Sequence, residues 1–134
     1  MKIVVDSYAW IEIFSGTEKG RTARKVMDDA DEIYTPDIVL AEIARKYLRE
    51  GVDKGVIGQR LDWIIEASSI VSVDRDAAIE SGSAFLELRQ EAKKKGVSEP
   101  SLFDAIILAI TRSIQGKLLT GDQHFKDFRE TLWL

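Results

Sequence analysis

The chain has 134 residues, 45% of them hydrophobic and 31% charged, with 9 Gly, 2 Pro and no Cys. That composition describes one globular domain burying about two-thirds of its unfolded surface, and it excludes disordered, collagen-like, disulfide-stapled and thiolate–metal classes. With 19 basic against 23 acidic residues the formal charge is −4, so any hold on an anionic polymer must come from a local cationic patch or a bound metal. The longest apolar run, Ala105 to Ile110, is far short of the ~20 residues that cross a bilayer. No such run follows Met1-Lys2, so membrane insertion and secretion are not expected, and a reducing cytoplasm is the compatible compartment. The one histidine, His124, rules out multi-histidine metal sites; its plain reading is a turn or surface residue.

Lys2 to Val5 is a β-branched run ending at Asp6-Ser7, and Trp10, Ile11 and Phe14 then repeat at helical spacing, which predicts strand, turn, helix. Residues 18–30 read as a charged helix and Glu32 to Thr35 as a short strand. Pro36 suits the first turn of a helix running to about Glu50 and closed by Gly51. Residues 53–68 carry Val56, Ile57, Leu61, Ile64 and Ile65 at helical spacing, and Ser69 to Val73 predicts a third strand. A long helix over 75–95 ends in Lys93-Lys94-Lys95 and Gly96, which suit the negative end of its dipole. Ser98 to Ser101 is a loop, and Leu102 to Ile114 is apolar on nearly every side, the pattern of a buried helix. Lys117 to Thr120 predicts a fourth strand, Gly121-Asp122 a turn, and Thr131 to Leu134 an edge strand.

Strands separated by helices imply α/β architecture, a three-layer sandwich with a central, mostly parallel sheet of four or five strands. No repeat, linker or low-complexity stretch divides residues 1–134. In such sheets ligands bind beyond the carboxyl ends of the strands.

Four of the acids interrupt or terminate apolar runs: Asp6 after Ile3-Val4-Val5, Glu42 within Ile38 to Ala44, Asp104 within Leu102 to Ile110, and Asp122 after Leu118-Leu119-Thr120-Gly121. Each has a structural alternative. Asp6 can cap the helix starting at Ser7, and Glu42 can pair with Arg45 and Lys46 one turn on. Asp104 can form a variant capping box with Ser101, and Asp122 can be a turn residue. Topology separates the readings, because Asp6 and Asp122 end predicted strands on one sheet edge. Asp104 shares a helix face with Ile107 and Leu108, and Glu42 lies near the Ile38/Val39 face of a helix packed on the same sheet. Carboxylates about 4 Å apart repel by roughly 4 kcal/mol per pair at an effective dielectric near 20, so gathering them calls for a counter-charge. All-oxygen ligation suits Mg²⁺ or Mn²⁺, ions that also bind phosphate oxygens, which points to phosphodiester hydrolysis.

The strings VVDSYAWIE, LAEI around Glu42, SLFDAIILA around Asp104 and LLTGDQHF around Asp122, taken in this order, resemble PIN-domain ribonucleases over essentially the full length. The likeness is greatest to the VapC toxins of toxin–antitoxin pairs. The resemblance implies a PIN-like fold and a Mg²⁺- or Mn²⁺-dependent endoribonuclease. It matches Asp6, Glu42, Asp104 and Asp122 to the acidic quartet, and Ser7 and Thr120 to adjoining hydroxyl positions. It also implies a VapB-type antitoxin as partner, RNA as substrate and frequent homodimers. Many members carry a further acid where this chain has His124, which bears on a second metal ion.

On this reading Asp6, Asp104 and Asp122 hold the ion and Glu42 orients or deprotonates the attacking water. Lys19, Arg21, Arg24 and Lys25, or Arg45, Lys46 and Arg49, are candidate phosphate-binding groups. Two other classes compete. A phosphoacceptor signalling domain would want paired acids after the first strand, where Asp6 stands alone, and a non-catalytic interaction module would show no metal-dependent cleavage. The segment GTEKGRT (Gly16 to Thr22) has glycines one residue too close for a phosphate loop, and Arg21 where the lysine belongs.

Overall fold

Ile3, Val4 and Val5 are fully buried, the continuous apolar run expected of a parallel strand covered on both faces. They form β1 (Lys2–Val5), the centre of the sheet, in a computed structural model that describes residues 1–134. Helices α1 (Ser7–Ser15) and α2 (Glu18–Asp28) lead to β2 (Glu32–Pro36), and α3 (Asp37–Arg49) and α4 (Lys54–Ala67) lead to β3 (Ser69–Val71). The long α5 (Arg75–Lys95) and the buried α6 (Leu102–Ile114) return the chain to β4 (Lys117–Thr120). A short 3₁₀ turn (Gln123–Phe125) precedes β5 (Thr131–Trp133).

All five strands are parallel, in the order β3-β2-β1-β4-β5. Because such crossovers are right-handed, the steps β1→β2→β3 lay α1 to α4 on one face, and the reversal β3→β4 lays α5 and α6 on the other. The order therefore reverses between β1 and β4, and that crevice is where doubly wound sheets place ligands.

Local chemistry sets the boundaries. Side chains of Asp6, Thr17, Asp53, Asp74 and Ser101 each accept a backbone N–H at the start of a helix, satisfying donors the first turn leaves unpaired. Gly16 and Gly96 close α1 and α5 with φ of 67° and 71°, a left-handed conformation suited to glycine. Pro36, expected inside the first helical turn, is instead the last residue of β2 and the cap of α3, with extended φ −60° and ψ 137°. The third strand ends at Val71, two residues earlier than expected.

The core joins the two helical layers through the sheet. Trp10, Ile43 and Ile64 pack on one side, and Leu88, Ile107 and Leu108 on the other, around Ile3, Val4, Leu118 and Leu119. Trp10 Nε1 donates to Thr35 Oγ1 at 3.1 Å, which gives the buried indole its polar partner. No helix is long and apolar enough to cross a membrane.

Candidate active site

The register between β1 and β4 pairs Val5 with Leu119, and continuing it sets Asp6 opposite Thr120. Asp6 N–H donates to the Leu119 carbonyl at 3.2 Å. Its carboxylate, 2% exposed, accepts from Ser7 N–H at 2.8 Å and from the Thr120 hydroxyl at 2.7 Å. Asp6 thus caps α1 from the same placement that sets it at the β1/β4 reversal. Ser7 serves through its backbone amide, while Thr120 serves through its hydroxyl.

Thr120 does a second job, because its Oγ1 also accepts from Asp122 N–H at 3.0 Å. This ties the residue after β4 to the residue after β1. Asp122, a third exposed, accepts from His124 N–H at 2.9 Å and faces His124 Nδ1 at 2.8 Å. His124 Nε2 faces the Ser98 carbonyl at 2.9 Å. Burial pulls the His124 pKa down, but the bonds to Asp122 and Ser98 outweigh it and the net shift is upward. His124 is therefore no plain turn residue; its ring is held between Asp122 and the Ser98 carbonyl.

Asp104 is the third residue of α6, 8% exposed. Its Oδ2 accepts from Ser101 N–H at 2.8 Å and its own N–H donates to Ser101 Oγ at 3.1 Å, a complete capping box. The cap and the site again coincide. The structural alternative for Glu42, pairing with Arg45 and Lys46, does not form: Lys46 pairs with Glu50 at 2.9 Å, and Glu42 Oε1 is buried without any partner.

Electrostatics shows that these four acids share one region. Burial, then the charges of Asp6 and Asp104, push the Glu42 pKa up to about 8, with Asp122 adding to the rise and Arg45 opposing it. Burial raises Asp6 to about 7 against the Thr120 bond, with Asp122 and Asp104 adding to the rise. Asp104 is raised by burial and by Asp122, while the Ser101 backbone bond pulls the other way. Desolvation and like charge both penalise the ionised forms.

No group of three or more of these side chains is drawn tightly enough to hold an ion as it stands. Asp6, Asp104 and Asp122 each turn an oxygen toward a local backbone donor. The donor set nevertheless fits a hard divalent cation. It is all oxygen, and it includes a buried, unpartnered Glu42 Oε1 that is costly without a cation or donor. Cavities of about 570 Å³ and 490 Å³ lie elsewhere.

The PIN domain family model matches residues 3–130. Ribonuclease VapC3 of Pyrobaculum aerophilum is 28% identical over 131 residues, covering 95% of this chain and 94% of that protein. Among solved structures, a toxin–antitoxin complex from Klebsiella pneumoniae superposes with a TM-score of 0.69 at 23% identity, covering 97% of this chain and 95% of that one. VapC20 of Mycobacterium tuberculosis, a sarcin-ricin loop cleaving toxin, does so with a TM-score of 0.67 at 19% identity, covering 92% of each. These structural likenesses bear on the fold, which is the expected parallel α/β sandwich. With its acids at the β1/β4 reversal and a family match running almost end to end, this chain belongs to the PIN domain family.

Proposed function

We propose that residues 1–134 form one PIN-like endoribonuclease domain that hydrolyses RNA phosphodiester bonds, depends on Mg²⁺ or Mn²⁺, and acts in the cytoplasm as the toxin of a VapBC-type pair. The observation that carries this reading is the meeting of Asp6, Glu42, Asp104 and Asp122 beyond the ends of β1 and β4, each of the first three with its carboxyl pKa raised. Membership of the PIN family and the relative named Ribonuclease VapC3 support the reaction class. A similar fold in VapBC2 of Rickettsia felis, bound to a DNA fragment from their promoter, supports a VapB-type antitoxin as partner, and a homodimer fits the same reading.

Asp6, Asp104 and Asp122 would hold the ion. When bound, it neutralises the cleft and supplies Lewis acidity toward a phosphoryl oxygen. Thr120 and Ser7 fix the Asp6 carboxylate, and Ser101 fixes Asp104. Glu42, whose carboxyl would ionise once a bound ion offset the charges of Asp6 and Asp104, would accept a proton from the attacking water. The water oxygen forms the new bond to phosphorus, the P–O3′ bond breaks and the departing O3′ takes a proton from solvent, leaving a 5′-phosphate and a 3′-hydroxyl, so the ribose 2′-hydroxyl is not a nucleophile.

The test is incubation of the purified chain with single-stranded RNA and Mn²⁺, followed by analysis of the product ends. Cleavage giving 5′-phosphates, lost in Asp6→Asn, is expected. Cleavage giving 2′,3′-cyclic phosphates, or persisting in Asp6→Asn, overturns the reading.

A further inference from the structure

Beside an acidic cleft that a bound ion would neutralise, cationic side chains that meet the strand would add to its hold. Two groups of basic residues were candidates, and the structure separates them. On α3, Lys46 is taken by Glu50 and Arg45 acts on Glu42, while Arg49 alone is left without either. On α2, Lys19, Arg21, Arg24 and Lys25 make no ion pair within the chain.

Lys19 is placed by two close approaches. Gly20 lets the start of α2 press on α1, because a Cβ there would overlap the Glu12 carbonyl. That brings Lys19 Nζ within 3.0 Å of the Tyr8 hydroxyl, to which it donates. Tyr8, two residues after Asp6, in turn lays its ring over Gly121, where a Cβ would overlap the ring edge. Gly121 lies between Thr120 and Asp122. The ammonium is thus braced at the border of the carboxylates by a phenol oxygen. The neighbouring Glu12 carboxylate is engaged by the Thr17 hydroxyl.

From Lys19 the positive charge continues. Arg21, Arg24 and Lys25 line a hollow of about 400 Å³ with Gly16, Gly20 and a single apolar residue, Ile13. Arg21 donates to the Gly16 carbonyl and Arg24 lies over the Trp63 ring, and no carboxylate lines the hollow, so its charge favours an anion such as a phosphate backbone.

We propose that Lys19, braced by Tyr8, contacts a phosphate of the RNA strand beside the one being cut, and that the strand leaves the carboxylate rim along Arg21 and Lys25 of α2. This rests on the ribonuclease reading above, and it assigns Lys19 and Tyr8 as positioning residues.

The test compares wild type with Lys19→Gln, Lys19→Arg, Tyr8→Phe and Lys2→Gln, the last removing a like charge at the opposite end of β1. Binding of a fluorescent single-stranded RNA of mixed sequence is followed by anisotropy in EDTA over a range of salt, and KM and kcat are measured separately in Mn²⁺. For Lys19→Gln, the slope of log K against log salt is expected to fall by about 0.7, the single-strand value for one phosphate. KM is expected to rise several-fold with kcat little changed. Lys19→Arg recovers both, and Tyr8→Phe, which keeps the ring but frees the lysine, falls between. Wild-type cleavage with an unaltered slope and KM in Lys19→Gln, or an equal loss of slope in Lys2→Gln, overturns the proposal while leaving the ribonuclease reading standing. A wild type that neither binds nor cuts RNA overturns both.

Discussion

The Thr120 hydroxyl donates to Asp6 Oδ2 at 2.7 Å although 114 residues separate the two in sequence. That bond spans the β1/β4 reversal and holds a buried carboxylate whose pKa is already raised to about 7. Thr120→Val removes the donor and leaves the Asp6 oxygen short of a partner, which costs about 1–3 kcal/mol. The loss should be larger above about pH 8, where Asp6 is ionised, than below about pH 5. Urea denaturation at the two pH values checks it, with Thr120→Ser close to wild type at both.

Metal-free stability should fall as pH rises. Asp6 is raised from 3.8 to about 7 and Glu42 from 4.5 to about 8, so between those values the folded chain holds protons that the unfolded chain releases. Their stabilisation is complete below about pH 4 and is lost progressively up to about pH 8. His124, also raised, acts in the same direction. Thermal melts in EDTA across this range are expected to drop steadily, and Mn²⁺ should restore most of the loss at the alkaline end, where the carboxylates are ionised.

Asp104→Asn keeps the acceptor for Ser101 N–H but removes one charge from the crowd. The metal-free fold at neutral pH should become more stable, while the melting-temperature gain from Mn²⁺ and RNA cleavage both disappear. Paired melts with EDTA and with Mn²⁺ decide it. An unchanged or lower metal-free stability together with an undiminished Mn²⁺ gain would mean that these acids do not form a common site.

Two helical glycines should respond in opposite ways to alanine. Gly82 on α5 has open space where a Cβ would go, so Gly82→Ala should stabilise by about 0.5–1 kcal/mol through lower unfolded-state entropy and better helix propensity. Gly20 is pressed against the Glu12 backbone, so Gly20→Ala should destabilise by about 1–3 kcal/mol as α2 is forced off α1. Circular-dichroism melts of the two variants suffice, and RNA affinity should also fall in Gly20→Ala because Lys19 moves with α2.

Much of this molecule was written locally. Helices α1, α2, α4, α5 and α6 begin beside Asp6, Thr17, Asp53, Asp74 and Ser101 because a side-chain acceptor satisfies first-turn amides wherever the chain offers one. The run Ile3 to Val5 declared a strand covered on both faces. The acids stood out for the same reason, since carboxylates set in apolar runs are visible without coordinates. Pro36 was misplaced because its fixed φ suits both an extended residue and a first helical turn, and local geometry does not choose between them.

What required the tertiary structure was every relation that depends on which strands are neighbours. The order β3-β2-β1-β4-β5 sets Asp6 across from Thr120, and no short-range pattern encodes a pairing 114 residues apart. The choice of Lys46 for Glu50 over Glu42, the engagement of His124 between Asp122 and Ser98, and the bracing of Lys19 on Tyr8 likewise depend on how the packed elements aim their side chains. Sequence specified the elements and marked the chemical groups because those follow from nearest-neighbour sterics, capping and hydrophobic period; which groups meet follows from long-range packing, which only the folded chain decides.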